Sequence, residues 1–298
     1  MPRRKDIWRC ALVDRPMPDV LMQGLGGAAI RWLPEQPAFT FLADPFAIDV
    51  DGCRHVFAEY YDYRTRHGVI HVLTLDQDGT VIRQQPCLAE PWHLSYPQVF
   101  AAEGELWMLP EAHRSGRLTL YRAENFPMKW ARYCEITLDC VPVDASVLRY
   151  RGKWWMFYAP ATTRASKISH LHVAFADRLA GPWHPHKGNP VRQDVASSRP
   201  GGTPVVHEGA ILLPVQDCTR TYGGAIRALR IEQLSETTFA ASVGAPITPL
   251  PGFAPYCDGL HTMSACGPVT MIDAKRIDRS VQGLLLDIRR ATGLTGRE

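Results

Sequence analysis

One layout recurs along this chain: a polar residue, an apolar strand, a turn that contains glycine, and a second strand rich in aromatic residues. The first copy runs from Asp44 to Glu59. Glycine tolerates the positive φ that a tight hairpin turn needs. A period of roughly 50 residues is typical of the four-stranded blades of a β-propeller. The copies begin near Asp44, Tyr96, Asp144, Gly202 and His261, and their turn glycines are Gly52, Gly104, Gly152, Gly209 and Gly267.

The repeats predict an all-β fold, a five-bladed β-propeller that forms a single domain over residues 1–298. The fifth copy has no room for four strands before a helix-like segment at 281–290. We therefore expect the N-terminal strand at 7–13 to complete the fifth blade and close the ring. A short C-terminal helix follows. The predicted blades lie near 44–90, 96–140, 144–192, 202–250 and 259–278, the last joined by 7–13.

Composition narrows the function classes. The 33 basic and 30 acidic residues give a net charge of +3 without charged blocks, which argues against nucleic-acid binding. No window holds the ~18 apolar residues of a membrane-spanning helix, so we expect a cytoplasmic protein without membrane insertion. The 8 cysteines contain no Cys-x-x-Cys pair and are expected to be reduced thiols.

No cofactor or metal is expected from the motifs. The segment Gly24–Gly27 resembles a phosphate loop but lacks the preceding strand, the lysine and the spacing of one. The pairs His170/His172 and His184/His186 have no third ligand nearby in the sequence.

Polar residues recur at the two positions that meet on one rim of the propeller. In a hairpin the start of the first strand lies beside the end of the second, so both sets are expected around a central funnel. The first-strand starts are Asp44, Tyr96, Asp144, Arg199 and His261, and the second-strand ends include Glu59, Glu111, Gln216, Asp217 and Asp273.

Each of these residues also has a purely structural interpretation. Asp44 precedes a proline and could bond its own backbone in a turn. His93 and His261 could be buried structural histidines. Arg199 could recognise a carboxylate, a phosphate or vicinal hydroxyls, or form a salt bridge between blades. Tyr96 and Tyr222 add aromatic surface beside the carboxylates, a combination that suits the apolar face and polar edge of a sugar ring.

Ten short motifs occur in a fixed order along the chain: Phe41-Leu-Ala-Asp-Pro-Phe46, His93-Leu-Ser-Tyr-Pro97, Pro110-Glu111, Leu120-Tyr-Arg122, Phe126-Pro-x-x-Trp130, Gly152-Lys-Trp-Trp155, Gly181-Pro-Trp183, Arg199-Pro200, Gln216-Asp-Cys218 and His261-Thr262. Together they resemble one known family, the N-terminal domain of glucosamine inositolphosphorylceramide transferases and its bacterial stand-alone relatives. The resemblance implies a five-bladed propeller, which in the plant proteins precedes a glycosyltransferase domain.

More distantly, the layout is similar to the five-bladed arabinanases and β-fructosidases, in which acidic residues open blades one and three. Asp44 and Asp144 match those positions. In those enzymes a carboxylate from blade four or the adjoining loop is the general acid, whereas this chain offers Arg199, Gln216 and Asp217 there.

The first hypothesis is therefore a glycosidase or transglycosylase that acts on a glycan or glycoconjugate. Asp44 would be the base or nucleophile, Asp144 would orient the sugar, and Glu111 or Asp217 would be the acid. The second is a non-catalytic sugar-binding propeller that supports a glycosyltransferase partner, and the third is a transferase that uses a sugar-phosphate donor. The predicted substrate-binding residues are Glu59, His93, Tyr96, Arg199, Gln216, Tyr222, His261 and Asp273.

Overall fold

The computed structural model describes residues 4–292 and is built mainly of antiparallel strands. The strands are β1 Lys5–Val13, β2 Ile30–Trp32, β3 Thr40–Val50, β4 Cys53–Asp62, β5 His67–Leu75, β6 Val81–Leu88, β7 Ser95–Ala102, β8 Glu105–Glu111, β9 Leu118–Asn125, β10 Lys129–Ile136, β11 Pro142–Tyr150, β12 Lys153–Pro160, β13 His170–Ala176, β14 His184–Pro185, β15 Arg192–Gln193, β16 Arg199–Pro200, β17 Val205–His207, β18 Ala210–Asp217, β19 Ala225–Leu234, β20 Phe239–Val243, β21 Met263–Cys266 and β22 Val269–Asp278. The helices are α1 Met17–Gln23, α2 Ser166–Ser169 and α3 Val281–Ala291, with 3₁₀ turns at His113–Ser115 and Pro251–Phe253.

These strands form five sheets, the blades of a propeller, as the repeats predict. Blade one is β3-β4-β5-β6, and blade two is β7-β8-β9-β10. In blade three, β11, β12 and β13 are followed by β14 and β15, which both pair with β13. In blade four, β16 and β17 both pair with β18, and β19 and β20 lie outside them. Blade five is β21-β22-β1-β2.

The N-terminal segment closes the ring, which confirms the prediction. Strand β1 pairs with β22 along its whole length, from Lys5 opposite Asp278 to Val13 opposite Thr270. The structure adds a strand that the sequence did not reveal, because β2 pairs with β1 as the outermost strand of the same blade. Blade five therefore combines two inner strands from late in the chain with two outer strands from its beginning. This pairing removes an open sheet edge.

Apolar side chains fill the contacts between neighbouring blades. Phe46, Phe57 and Met108 belong to one cluster that joins blades one and two. Trp154 and Met156 belong to another that joins blades two and three. Full burial of such a side chain contributes about 1.5–3 kcal/mol, so these clusters fix the angle between blades. They also hold the inner strands around a common axis.

The first strands of blades one, two and three share a β-bulge that the sequence pattern did not reveal. The pairing register shifts between Ala43 and Phe46, and equivalent shifts occur in β7 and β11. The first bulged residue has positive φ in each case: 52° for Asp44, 46° for Tyr96 and 51° for Asp144. Non-glycine residues avoid this region at a cost of about 1–3 kcal/mol, and such strain concentrates at functional sites. A β-bulge changes the direction in which the side chain of the bulged residue points.

The centre of the ring is closed by a hydrogen-bonded floor. The Tyr96 hydroxyl lies 2.8 Å from Ser146 Oγ and donates to the carbonyl of Gly202 at 3.1 Å. Gly202 must be glycine, because a Cβ there would lie 1.7 Å from the carbonyl oxygen of Met263. Tyr96 is fully buried. It therefore lies in the floor of the funnel, not among the residues that line it.

Candidate functional site

A pocket of about 590 Å³ opens at the rim where the first strands begin. This volume suits a small ligand such as one or two sugar rings. Most of the predicted site residues line the pocket, which we call the funnel: Asp44, Glu59, His93, Glu111, Asp144, Arg199, Tyr222 and His261.

Asp44 is held from two neighbouring blades. Its Oδ1 accepts a hydrogen bond from the Thr262 hydroxyl at 2.6 Å, and its Oδ2 accepts one from the backbone N–H of Tyr96 at 3.2 Å. Only 5% of the residue is exposed. Burial raises the pKa of Asp44 to about 6, although the nearby His261 acts to lower it. A carboxyl with this pKa can exchange a proton near neutral pH.

His261 lies between two carboxylates. Its Nε2 is 3.4 Å from Asp44 Oδ1, and its Nδ1 is 2.7 Å from Asp273 Oδ2. Trp8 stacks on the imidazole with ring centroids 3.8 Å apart. Burial alone would lower the pKa of His261, but the charges of Asp273 and Asp44 raise it above its usual range. These charges favour the protonated form of the ring beside Asp44.

Asp273 supports this pair from beneath the funnel. It is fully buried and accepts hydrogen bonds from the backbone N–H groups of Asp44, His261 and Thr262. It was predicted to bind substrate, but it is placed as a support for Asp44 and His261.

Asp144 forms a buried ion pair across two blades. Arg199 Nε donates to Asp144 Oδ2 at 2.7 Å, and Gln216 Nε2 donates to the same oxygen at 3.0 Å. Burial raises the pKa of Asp144, and Arg199 opposes that shift. Gln216 is fully buried and also donates to the carbonyl of Pro200. Arg199 therefore makes the inter-blade salt bridge while it lines the funnel, and its guanidinium lies 5.0 Å from the ring centre of Tyr222.

Glu59 has an unusual environment for a carboxyl group. It is buried, and within residues 4–292 its nearest ionisable partner is His93, whose Nε2 lies 3.4 Å from Oε1. Burial raises the pKa of Glu59 well above its usual range, and the carboxylates of Asp44 and Glu111 raise it further. Burial also lowers the pKa of His93 to about 4. A neutral carboxyl thus faces a neutral imidazole.

Gly68 makes room for this contact. A Cβ at position 68 would lie 2.7 Å from His93 Cε1 and 2.8 Å from Glu59 Oε1.

Glu111 ends β8 at the position that Glu59 takes within β4, but Glu111 is surrounded by donors. Ser95 Oγ donates to Oε2 at 3.0 Å, and the backbone N–H of His113 donates to Oε1 at 2.7 Å. His113 Nδ1 also contacts Oε1 at 2.5 Å. Burial alone would raise the pKa of Glu111, but these contacts with His113 lower it below its usual value. Glu111 is therefore an ionised carboxylate, which is unsuited to the acid role predicted for it.

Asp217 is the predicted residue that lies apart from the funnel. It pairs with Arg227 at 2.9 Å and lines a separate pocket of about 640 Å³. Side chains alternate between the two sides of a strand, so Gln216 points beneath the funnel and the adjacent Asp217 points to the other side. Burial would raise the pKa of Asp217, but hydrogen bonds from Thr219 and Arg227 lower it. The blade-four acid expected from the sequence is thus not at the funnel.

The funnel also contains residues that the sequence analysis missed. The contacts of the Ser95 hydroxyl and the His113 backbone with Glu111 could have been anticipated, because both residues flank positions already singled out. Trp8 enters from the N-terminal strand and Lys167 from helix α2, and their place in the funnel depends on ring closure and loop geometry. The missed lining residues are Arg4, Asp6, Trp8, Phe41, Tyr63, Ser95, His113, Arg114, Val143, Lys167 and Thr221.

Two groups of side chains bring atoms of metal-ligating type within 4.8 Å of one another: Asp44 with His261 and Asp273, and Asp139 with Cys140 and His172. In the first group the imidazole already bridges the two carboxylates. In the second, Asp139 accepts from the Tyr158 hydroxyl at 2.5 Å and contacts His172 Nδ1 at 2.9 Å. These contacts account for both groups without a cation.

Among residues 4–292 no helix is both long and apolar enough to cross a bilayer.

The fold resembles solved glycoside hydrolases. A glycosyl hydrolase from Bacteroides ovatus aligns with a TM-score of 0.58 and 13% identity, over 82% of this chain and 90% of that one. A family 117 glycoside hydrolase from Zobellia galactanivorans aligns with a TM-score of 0.55 and 13% identity, over 82% of this chain and 86% of that one. At such low identity the likeness supports the five-bladed fold alone.

Sequence comparison is more specific. Glucosamine inositolphosphorylceramide transferase 1 of Oryza sativa subsp. indica is 36% identical over 203 residues, and the enzyme of that name from Arabidopsis thaliana is 34% identical over 203 residues. The match covers 67% of this chain but only 27% and 26% of those relatives, so the chain spans about a quarter of their length. The profile of the family described as "Glucosamine inositolphosphorylceramide transferase 1, N-terminal" matches residues 34–247. This chain therefore belongs to the family of glucosamine inositolphosphorylceramide transferase 1 N-terminal domains.

Proposed function

We propose that this protein is a glycosidase or transglycosylase that acts on a glycan or glycoconjugate bound in the funnel. The observation that carries the proposal is the set of buried carboxyl groups whose pKa values are shifted in opposite directions. Burial raises the pKa of Glu59 well above its usual range, whereas contacts with His113 lower that of Glu111. Cleavage of a glycosidic bond needs one protonated and one ionised carboxyl group beside it.

In this proposal Glu59 is the general acid, in place of Glu111 and Asp217. Its proton goes to the leaving-group oxygen as the glycosidic bond breaks. Asp44, with a pKa raised by burial to about 6, is largely ionised at pH 7. It either attacks the anomeric carbon or takes a proton from the attacking water. Asp144, paired with Arg199, orients a sugar hydroxyl.

Aromatic surface supports a sugar ligand. Trp8, Phe41, Tyr61 and Tyr222 line the funnel together with the carboxylates. About 40% of Tyr222 is exposed, so its ring is accessible to a ligand. An aromatic face beside carboxylates matches the apolar face and hydroxylated edge of a sugar ring.

A second candidate comes from the relatives, which are named as transferases and are about four times longer than the match. The propeller would then bind a glycoconjugate for a glycosyltransferase, or transfer a sugar itself from a phosphate-bearing donor. Lys167 and Arg114 favour a phosphate ligand, because both line the funnel and neither forms an ion pair with another residue of the described chain. Biosynthesis of a glycan in the cytoplasm would fit this candidate.

A hydrolysis screen on furanoside and pyranoside substrates, with Asp44→Asn as the control, tests the first candidate. We expect turnover by the wild-type protein and a loss of about 10²-fold or more in Asp44→Asn. Equal rates in the two proteins would contradict the role of Asp44. Sugar binding without turnover in either protein, measured by calorimetry, would favour the second candidate.

A further inference from the structure

Helix α3 has one face fixed to the propeller. Lys5 is buried, and its Nζ donates to the carbonyl of Gly283 at 2.7 Å. The same Nζ forms an ion pair with Asp287 at 2.9 Å. Gly283 is buried, and Leu286 is partly buried on the same side of the helix. The helix is therefore attached through the face that carries positions 283, 286 and 287.

The opposite face is an exposed apolar stripe. Val281, Leu284, Leu285 and Ile288 are 71%, 36%, 48% and 49% exposed. Their i, i+3, i+4 and i+7 spacing places them on one side of a helix, the pattern that normally packs against a core. Elsewhere in residues 4–292, large exposed apolar side chains occur one to an element, as at Met22, Ile82, Tyr133, Val206, Tyr222 and Val243. In the stripe on helix α3, four such side chains lie next to one another.

Positive charge flanks the stripe. Arg279 and Arg289 are exposed, and neither forms an ion pair within residues 4–292. The nearby acidic groups are already engaged: Asp278 accepts hydrogen bonds from Ser280, and Asp287 pairs with Lys5. An apolar stripe bordered by unpaired arginines is complementary to an anionic lipid surface.

The anchor of helix α3 adjoins the funnel lining. Lys5, which anchors the helix, is the chain neighbour of Arg4 and Asp6, and both of those line the funnel. Lys5 Nζ also lies 5.9 Å from the ring centre of Tyr63, another lining residue. The anchored face of the helix therefore contacts a residue that adjoins the funnel.

We propose that helix α3 docks the propeller on an anionic membrane surface. With 11 residues the helix is about 16 Å long, too short to cross a bilayer but suited to lie in the headgroup region with its apolar stripe inserted. The arginines contact anionic headgroups. This inference does not depend on the catalytic role of the funnel, since docking can be measured without turnover.

Vesicle co-sedimentation of the full chain tests the proposal. Wild-type protein should bind vesicles of phosphatidylcholine with 30% phosphatidylserine, and binding should weaken as NaCl rises from 50 to 500 mM. Leu285→Glu should reduce binding by about tenfold or more, because a leucine that inserts into the lipid in this proposal is replaced by a charge. Ile82→Glu is the matched control, since Ile82 is 62% exposed on an outer strand, and it should bind as wild type does.

Three results would overturn the proposal. One is failure of the wild-type protein to bind the anionic vesicles, and another is equal binding to vesicles of phosphatidylcholine alone. The third is a wild-type dimer in light scattering that Leu285→Glu converts to a monomer while vesicle binding is unchanged, which would make the stripe a contact with a second copy. Circular dichroism and thermal unfolding of each variant establish that it is folded.

Discussion

Blades one and two carry the same residue type at the same repeat position, yet the pKa values of the two carboxyl groups are shifted in opposite directions. Glu59 in β4 pairs with Ala43 and Glu111 in β8 pairs with Ser95, each partner lying directly before a bulged residue. Both glutamates are buried, and both lie beside a histidine. Glu111 receives hydrogen bonds from Ser95 and from the backbone of His113, whereas Glu59 Oε1 lies 3.4 Å from His93 Nε2. The number of donors that accompany burial decides whether a carboxyl group is neutral or ionised.

The two histidines differ in how far they are buried. His113 is only partly buried and contacts the Glu111 carboxylate directly. Desolvation dominates at His93, where Nδ1 is buried without a hydrogen-bond partner in the described chain, and it lowers the pKa to about 4. The shifts therefore favour a protonated Glu59 in blade one and an ionised Glu111 in blade two. An acid and an ionised carboxylate can thus coexist in one pocket at neutral pH.

The largest expected effect is on enzymatic turnover, and it distinguishes Glu59 from Glu111. Glu59→Gln should lower turnover of a substrate with a poor leaving group by about 10²–10⁴-fold, because the proton donor is lost. Substrates with activated leaving groups, such as dinitrophenyl glycosides, need no donor and should lose far less. Glu111→Gln serves as the matched variant and should show the leaving-group dependence of the wild type. If both variants had the same dependence, Glu59 would not be the acid.

The same two substitutions should affect the free energy of unfolding in the opposite order, with the larger loss at Glu111. At pH 7, Glu111→Gln should lower the free energy of unfolding by about 1–3 kcal/mol, because buried donors lose a charged acceptor. Glu59→Gln should leave it unchanged or raise it, since it replaces a carboxyl group that must take up a proton to fold. Urea unfolding of both variants measures this contrast. Equal losses in the two would contradict the difference in protonation.

The pH dependence of these differences follows from the signs of the shifts. The lowered pKa of Glu111 contributes stability that is present above its unfolded pKa of about 4.3 and is lost as pH falls through the folded value. The deficit of Glu111→Gln should therefore shrink between pH 5 and pH 3. The raised pKa of Glu59 lowers stability as pH rises above about 4.3, so Glu59→Gln should gain relative to wild type from pH 4 to pH 7. Unfolding curves at pH 3, 5 and 7 check both slopes.

A smaller effect probes the Glu59 side alone. Gly68→Ala would place a Cβ 2.6 Å from the carbonyl oxygen of Leu94 and within 2.8 Å of Glu59 and His93. Overpacking of this kind typically costs about 1–3 kcal/mol. Gly26→Ala is the control, because no atom lies within 4 Å of its Cβ position. Thermal unfolding should show a loss for the first variant and little change for the second, and equal melting temperatures would argue against the close contact.

The smallest effect probes the Glu111 side. Ser95→Ala removes one donor to Glu111 and should cost about 0.5–1.5 kcal/mol at pH 7. The pKa of Glu111 should rise towards its usual value. A control is Ser115→Ala, whose hydroxyl bonds only nearby backbone carbonyls and an N–H. If Ser95→Ala left both stability and the Glu111 titration unchanged, the donor count would not explain the contrast.

The fold could be predicted from the sequence because each blade repeats a local pattern. The apolar strands and turn glycines identify the hairpins that start at Asp44, Tyr96 and Asp144, and the incomplete fifth repeat predicts closure by the N-terminal strand. Strand β2 escaped prediction because its three residues carry too little pattern to mark a strand.

The site was predictable only where position along the chain determines position in the funnel. Asp44, Asp144 and His261 lie at equivalent repeat positions, and all three line the funnel. The side chain of Tyr96 points into the floor because of a β-bulge. That of Asp217 points away from the funnel because side chains alternate along the strand. Neither effect is evident from composition. The protonation of Glu59 and Glu111 could not be read from sequence at all, because it depends on donors that Ser95 and His113 supply in the folded chain.

The most direct test of this account is a ¹³C NMR pH titration of the glutamate carboxyl carbons, with Glu59→Gln and Glu111→Gln used to assign the two resonances. We predict that Glu59 is protonated at pH 7 and that Glu111 remains ionised down to below its usual pKa of about 4.3. Two glutamates that both titrate near that value would contradict it.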